Sequence, residues 1–264
     1  MLLSGHETFD VDAALGHYEE HGYARLGRWL SDEGLSRLQE RAEDLMHGRV
    51  VYPGMFFQLD AETGRYEDAP IGLGWQGPSS HYRKLEKLEM DDRFLSWLEN
   101  PLFRRVVEAR IEGPAVLYRA ILFNKGAQGS SEIPWHQDGG KLWGLSQTPT
   151  LQIWTALDDA PVDGGCLEVV PGSHLKGLAT ELGGVVPPDH VEAAKAESLA
   201  VALPAKAGEV ILVHNMLWHR SGKSRKGQRR LGLSICYMSA KTQCLRKKRA
   251  PRVFFPVFRS QTVG

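Results

Sequence analysis

The first third of the chain has the hydrophobic spacing of helices. In three stretches the apolar residues recur three or four positions apart, as on the buried side of an amphipathic helix. Two β-like stretches, residues 23–27 and 50–59, lie between these segments. Three helices are predicted. The first is residues 11–21, the second begins after Ser31, which is its N-cap, and the third is residues 92–111, which Pro101 divides in two.

From residue 115 onward the pattern changes to short apolar runs separated by Gly, Pro and Asp. Many short strands with few helices between them predict a β-sandwich or barrel, which the helices at the front would cover on one side. We expect one domain over residues 1–264, with a helical part at about 1–114 packed on a β core at about 115–240. Residues 176–203 are predicted to form an insertion or lid loop. The predicted strands are residues 116–123, 151–157, 166–170, 209–213 and 231–237.

Charge and composition limit the possible partners. The 32 Lys and Arg residues balance the 32 Asp and Glu residues, which gives no reason to expect a nucleic-acid partner. Apolar runs stay well short of the roughly 20 residues of a membrane span, and no signal peptide is recognisable. Three widely spaced cysteines argue against a disulfide framework. We therefore expect a cytoplasmic protein that is a monomer or a homodimer and binds neither nucleic acid nor membrane.

Three residues have the chemistry and spacing of a metal site. His136 and Asp138 are one residue apart, so both side chains would point the same way from an extended strand. His219, after a second predicted strand, would complete the two-His-one-carboxylate triad of non-heme iron(II) oxygenases, which activate dioxygen. His214 follows the same strand and is the alternative third ligand. We expect His219 to lie on another strand, across a barrel mouth from the first two ligands.

A basic residue follows His219 along the chain and could bind a cosubstrate next to the metal. Arg230 lies eleven positions after His219, on what we expect to be the next strand of a hairpin. Its guanidinium group could hold a carboxylate through two hydrogen bonds. Arg229 is the alternative, because strand alternation lets only one of the two face inward. A zinc hydrolase could use the same three metal ligands but would leave the arginine without a role.

Several linked motifs, in order along nearly the whole chain, extend this pattern. With them the chain resembles the phytanoyl-CoA dioxygenase family of iron(II)/2-oxoglutarate dioxygenases. The resemblance implies a mainly β fold with flanking helices around a double-stranded β-helix, or jelly-roll, core. It also implies Fe(II) as the metal, with 2-oxoglutarate and O2 as cosubstrates. The matching motifs are residues 84–88, 122–125, 134–138, 153–157, 164–174 and 208–230.

The resemblance also implies roles for individual residues. His136, Asp138 and His219 would bind iron. Arg230, helped by Ser221, would bind the distal carboxylate of 2-oxoglutarate. Three further residues, Lys84, Ile121 and Trp154, fall where members of the family line the cosubstrate pocket. Lys84 could equally be a solvated charge on a helix, and packing in the core would account for Ile121 and Trp154.

The expected reaction is hydroxylation of an unactivated C–H bond of a small-molecule metabolite, with release of succinate and CO2. Iron halogenases of this fold lack the metal-binding carboxylate, and the presence of Asp138 therefore favours hydroxylation over halogenation. Desaturation, epimerisation or cyclisation at the same iron site is the first alternative, and a catalytically silent jelly-roll binding protein is the second. The basic segment at residues 246–252 fits a solvated surface, a nucleic-acid signal or a handle for an anionic substrate.

Overall fold

The structure is a computed structural model and describes residues 10–247 and 252–258. Within these ranges short strands dominate, and the longer helices precede most of them. The helices are α1 (Val11–His21), α2 (Asp32–Met46), α3 (Asp92–Leu98), α4 (Pro101–Arg110), α5 (Pro188–Ala193) and α6 (Ala196–Leu199). The strands are β1 (Tyr23–Arg28), β2 (Phe56–Leu59), β3 (Tyr82–Glu86), β4 (Ala115–Lys125), β5 (Ile133–Gln137), β6 (Leu151–Ala156), β7 (Leu167–Val169), β8 (Gly184–Val185), β9 (Val201–Leu203), β10 (Glu209–Val213), β11 (His219–Ser221), β12 (Arg230–Ser239) and β13 (Phe255–Pro256).

The described strands form two antiparallel sheets. The larger sheet has the order β1-β10-β6-β12-β4-β3-β2, with β13 added beside β4. The smaller sheet has the order β8-β5-β11-β7-β9. The fold is therefore mainly β with flanking helices, and its two sheets form the jelly-roll core that the resemblance implied.

Helices cover one side of the larger sheet, and local capping explains where they begin. Ser31 Oγ accepts a hydrogen bond from the amide of Gly34 at the start of α2. Asn100 caps α4, whose first residue is Pro101, so the predicted division of the 92–111 helix is confirmed. Apolar residues from α1 to α4 and from the larger sheet form one continuous buried cluster. Because this side of the sheet is filled, the other side is left to line a cavity.

Two sequence predictions about loops and strands need correction. Within the predicted strand at residues 50–59, only Phe56–Leu59 is a strand. Residues 176–203 are not a simple loop: they contain β8, α5, α6 and β9. Because β8 pairs with β5, this excursion is part of the smaller sheet.

Other features bear on location and on the basic segment. Among the described helices, none combines the length and the apolar character needed to cross a bilayer. All three cysteines are free.

In the basic segment, Arg252 lies over the ring of Tyr118 and donates a hydrogen bond to its carbonyl oxygen. Part of that segment, residues 248–251, lies outside the described residues.

Candidate active site

The two histidines and the aspartate of the predicted triad converge in the structure. His136 lies on β5, Asp138 follows that strand directly, and His219 lies on β11. In the antiparallel pairing of β5 with β11, His136 is opposite His219, and their ring centroids are 4.0 Å apart. One possible ligand atom from each of the three residues lies within 4.8 Å of the other two. The expectation that His219 sits across a barrel mouth is wrong, because its strand is the immediate neighbour of β5.

Backbone contacts orient both imidazole rings. Nδ1 of His136 is 2.9 Å from the carbonyl oxygen of Pro134, and Nδ1 of His219 is 2.8 Å from that of Leu217. A carbonyl oxygen only accepts, so each Nδ1 carries the proton and donates it. This tautomer leaves Nε2 of both rings with a free lone pair, as a metal ligand requires.

Asp138 is held by two side chains from the larger sheet. Arg119 Nη2 donates to Oδ1 at 3.3 Å, and Gln152 Nε2 donates to Oδ2 at 2.8 Å. Burial by itself would raise the pKa of Asp138, but the nearby His219 and the charge of Arg119 hold this pKa below its usual value. Asp138 is therefore a carboxylate in a fixed orientation.

The surroundings of His136 also favour its neutral form. Burial, followed by the nearby His219, lowers the pKa of His136 to about 4. Two imidazoles and one carboxylate form a donor set that suits a divalent transition metal such as iron(II). Three protein ligands also leave coordination positions for other molecules. The residues present thus fit the metal that the resemblance implied.

The alternative ligand His214 lies elsewhere. Its ring packs against Tyr18 and His174, with centroids at 5.8 and 4.7 Å. Its Nδ1 accepts a hydrogen bond from the backbone amide of Met216. His214 is therefore part of the contact between α1 and the core, and His219 is the histidine that joins the cluster.

A cavity of about 370 Å³ connects the triad with the interior face of the larger sheet. The three possible ligands open onto it from the smaller sheet and its edge. The larger sheet contributes several polar and charged side chains. Those that matter below are Gln58, Arg83, Lys84, Arg119, Gln152 and Arg230.

Arg230 faces this cavity and is 3 % exposed. Its Nε and Nη2 donate to the carbonyl oxygen of Gly165, and it makes no ion pair with a carboxylate of the described residues. Burial lowers its pKa to about 10, which still leaves it a cation at neutral pH. A buried cation that opens onto a cavity beside a metal site suits the distal carboxylate of 2-oxoglutarate.

Arg229 points the other way. It forms ion pairs with Asp158 and Glu43, away from the metal ligands. The expected hairpin is nevertheless wrong, because β11 and β12 belong to different sheets: β12, which begins with Arg230, pairs with β4 and β6. Arg230 therefore approaches the cavity from the sheet opposite to the one that carries His219.

Of the other residues predicted to line the cosubstrate pocket, three line the cavity and one does not. Ser221 and Trp154 line the cavity, and the Trp154 indole lies so close over Gly232 that any side chain there would collide with it. Lys84 also lines the cavity, but from strand β3, so the helical alternative is wrong. Its Nζ is 2.9 Å from Glu86 Oε2. Ile121 is buried on β4 and does not itself line the cavity.

Sequence reasoning missed several residues that line the cavity. Arg119 precedes Ile121 by two positions on β4, and Gln152 precedes Trp154 by two on β6. Side chains two positions apart share one face of a strand. Extending the predicted pocket residues by this period would have identified both Arg119 and Gln152.

The paired glycines after the metal motif serve a packing role. A side chain at Gly140 would meet the carbonyl oxygen of Leu182 at 2.6 Å, and Gly140 has a φ of 79°. The space beside this glycine is thus filled by the backbone of the 176–203 excursion.

Comparison with known proteins finds relatives of one family. The family model for phytanoyl-CoA dioxygenase (PhyH) matches residues 18–232. The peroxisomal phytanoyl-CoA dioxygenase of Mus musculus is 24% identical over 238 residues, which cover 86% of this chain and 68% of that protein. Phytanoyl-CoA dioxygenase 1 of Oryza sativa subsp. japonica is 25% identical over 254 residues, which cover 85% of this chain and 88% of that protein.

Solved structures share the fold at lower identity. The 2-oxoglutarate-dependent carbocyclase SnoK from nogalamycin biosynthesis superposes with a TM-score of 0.71 at 18% identity, covering 96% of this chain and 100% of that one. EctD from S. alaskensis, crystallised with 2-oxoglutarate and 5-hydroxyectoine, has a TM-score of 0.71 at 17% identity, covering 98% of this chain and 88% of that one. The epimerase SnoN, in complex with Fe3+ and 2-oxoglutarate, has a TM-score of 0.69 at 17% identity, covering 95% and 96%.

Proposed function

The chain belongs to the phytanoyl-CoA dioxygenase family of iron(II)- and 2-oxoglutarate-dependent oxygenases, and we propose that it hydroxylates an unactivated C–H bond of a small-molecule metabolite. The reaction would release succinate and CO2 from 2-oxoglutarate. His136, Asp138 and His219 are the proposed iron ligands. Arg230 and Ser221 are the proposed contacts of the distal carboxylate of 2-oxoglutarate.

One observation carries the proposal: a single cavity joins the three possible metal ligands to the buried cation of Arg230. A cosubstrate with a metal-chelating end and a distal carboxylate matches these two features. The alternative zinc hydrolase would need the triad alone and leave Arg230 buried without a function. A silent binding protein would have no need for imidazoles oriented through their Nδ1 atoms.

Iron(II), when bound, supplies the oxygen activation that amino-acid side chains lack. The chain positions the reactants. Gln152 and Arg119 orient the carboxylate of Asp138, and Arg230 holds the charged end of 2-oxoglutarate. Trp154, which lies over Gly232, closes the cavity wall with apolar surface. These contacts would fix the cosubstrate and exclude water from the part of the cavity where the substrate reacts.

A second candidate keeps the iron site and changes the outcome. Structural neighbours of this chain include an epimerase and a carbocyclase, so the fold accommodates those reactions. Desaturation, epimerisation and cyclisation differ from hydroxylation in how the substrate lies relative to the metal. The ligand set is the same in all four, and the product therefore decides between them.

The decisive experiment is an anaerobic titration of the iron(II) protein with 2-oxoglutarate. We expect the weak visible charge-transfer band of the chelate, and its loss in Asp138→Ala and His219→Ala. His214→Ala is the matched control and should keep the band. A folded, iron-loaded wild-type protein without the band would overturn the proposal in favour of a hydrolase or a binding protein.

Product analysis then separates the two enzymatic candidates. A substrate that stimulates succinate release should gain one oxygen atom if the reaction is hydroxylation. Loss of two hydrogen atoms would indicate desaturation or cyclisation, and an unchanged mass would indicate epimerisation. A cytoplasmic location and a monomeric or homodimeric state remain predictions, to be checked by fractionation and by light scattering.

A further inference from the structure

Strand β3 contains a bulge that aims an additional arginine into the cavity. In its pairing with β2, Lys84 is opposite Gln58 and Tyr82 is opposite Leu59, so Arg83 is the extra residue without a partner. Tyr82 and Leu85 both point into the apolar core. Regular alternation would send Arg83 and Lys84 to opposite faces, yet both line the cavity.

A buried side chain stabilises the backbone at this irregularity. Asn124 on β4 donates through Nδ2 to the carbonyl oxygen of Tyr82 at 2.7 Å and to that of Ser80 at 3.0 Å. The ladder between β3 and β4 begins only at Lys84. The Asn124 amide thus replaces the strand hydrogen bonds that the bulge removes, and the direction of Arg83 is fixed by the sheet.

Among the lysines and arginines that line the cavity, Arg83 and Arg230 are the two that form no ion pair with a carboxylate in the described part of the chain. Arg119 contacts Asp138, Lys84 contacts Glu86, and Arg220 contacts Glu168 and Glu197. Arg83 is only 8 % exposed and makes no ion pair with any carboxylate of residues 10–247 and 252–258. A buried guanidinium group without a counter-charge is costly unless a ligand provides one.

An aromatic ring lies over the guanidinium group of Arg83. The Arg83 guanidinium carbon lies 4.9 Å from the ring centroid of Tyr66. Tyr66 begins a short 3-10 turn that Asp68 ties down by accepting hydrogen bonds from Thr63 and Arg65. Tyr66 also lines the cavity. One face of the guanidinium group is therefore shielded, and its edge remains available for a planar oxyanion.

We propose that Arg83 binds an oxyanion group of the primary substrate, which makes this substrate a small organic acid, such as a carboxylate or a phosphate ester. The inference rests on the proposed function, because it assigns 2-oxoglutarate to Arg230. Arg230 begins β12, whereas Arg83 lies on β3, and β4 separates the two strands. Of the cations that line the cavity, the two without an ion-paired carboxylate among the described residues are thus well separated, Arg230 for the cosubstrate and Arg83 for the substrate.

Binding of matched probe pairs tests this assignment. The anaerobic iron(II)·2-oxoglutarate protein would be challenged with short linear, branched and aromatic carboxylic acids, each beside its primary amide. Phosphate monoesters beside their alcohols form the second arm and identify which oxyanion is preferred. The readouts are the dissociation constant from the shift in melting temperature and, after admission of oxygen, the stimulation of succinate release.

In the wild type we expect at least one acid to bind about 10- to 100-fold more tightly than its neutral counterpart, which is the range for a charge-assisted hydrogen-bonded pair. Arg83→Gln should abolish this preference without weakening the neutral probe. Arg83→Lys keeps the charge but loses the planar guanidinium group that can make two parallel hydrogen bonds, and it should retain part of the preference. Arg105→Gln, at an exposed arginine of α4, should behave as the wild type.

Two results would overturn the assignment. One is a wild-type protein without acid preference for any pair, including the case in which no probe binds. The other is an acid preference that survives in Arg83→Gln.

The chelate band separates this inference from the proposed function. A wild-type protein that lacks the band with 2-oxoglutarate fails the proposed function itself. A protein that keeps the band but shows no acid preference fails only the assignment of Arg83. Loss of the band in Arg83→Gln at normal melting temperature would give Arg83 to the cosubstrate and overturn its assignment to the substrate.

Discussion

Arg119 lies over the ring of Trp143, with its guanidinium carbon 4.2 Å from the indole centroid, while its Nη2 contacts Oδ1 of Asp138. Trp143 is itself stacked on Tyr118, with ring centroids 4.4 Å apart. The arginine therefore joins an aromatic stack to the proposed metal ligand. Mutation of a residue that orients a metal ligand typically lowers the affinity for the metal by about 10- to 100-fold.

From this contact we expect Arg119→Gln to weaken iron(II) binding about 10- to 100-fold. The shorter amide side chain loses both the stacking and the charge that orient Asp138. The measurement is an anaerobic iron(II) titration of the metal-free protein. Arg252→Gln is the matched control, because Arg252 stacks on Tyr118 without touching Asp138. Equal iron affinity in the two variants would contradict the role given to Arg119.

The two histidines near β11 should differ sharply in their effect on the metal. His219→Ala removes one of three ligands, and we expect iron(II) affinity to fall by more than about 100-fold, beyond the loss typical of outer contacts. His214→Asn should keep iron affinity within a factor of about two, because His214 packs on Tyr18. Metal analysis after desalting checks both variants. Loss of iron in His214→Asn alone would reverse the assignment.

The neighbouring arginines at the start of β12 provide a similar contrast. Arg230→Ala should raise the dissociation constant for 2-oxoglutarate about 10- to 100-fold, since a charge-assisted contact is lost. Arg229→Ala removes ion pairs with Asp158 and Glu43 and should cost about 1 kcal/mol of stability without changing that constant. Anaerobic titration and urea unfolding measure the two effects. A weaker cosubstrate complex in Arg229→Ala would be inconsistent with the structure.

The pattern of the sequence was sufficient for the longer elements and insufficient for the short ones. Helix α2 has regularly spaced apolar positions because it buries one face. Strand β6 (Leu151–Ala156) is a largely apolar run because both of its faces are buried. Helices α5 and α6 have six and four residues, too few for a helical period to be recognised. The 176–203 excursion was for this reason predicted to be a loop.

The residues of the candidate site likewise fall into those that the sequence was sufficient to predict and those that it was not. His136, Asp138 and His219 were predictable from the chemistry that a facial triad requires. Arg83 was not, because its direction depends on a bulge between β2 and β3, and the register of two strands is a tertiary property. Lys84 was ambiguous for a related reason, since its strand is recognised only through its pairing with β2 and β4.

The stability of the metal-free protein should depend on pH through His214. Burial, followed by the charge of the neighbouring His174, lowers the pKa of His214 from 6.5 to about 4. In the unfolded chain the imidazole recovers its ordinary pKa, so between these two values the unfolded state binds more protons than the folded state. Stability contributed by the neutral ring is thus complete above pH 6.5 and is lost as the pH falls towards 4.

Between pH 7 and pH 5 this linkage predicts a loss of about 1–2 kcal/mol in the free energy of unfolding from His214 alone. His136 is also buried with a lowered pKa and contributes in the same direction, so the wild type by itself does not isolate the effect. The difference between the wild type and His214→Asn does, since the variant keeps every other titrating group. Urea unfolding of both proteins at the two pH values measures it. The variant should lose less stability than the wild type on acidification, and an equal loss in both would mean that His214 is already as easily protonated in the folded state as in the unfolded chain.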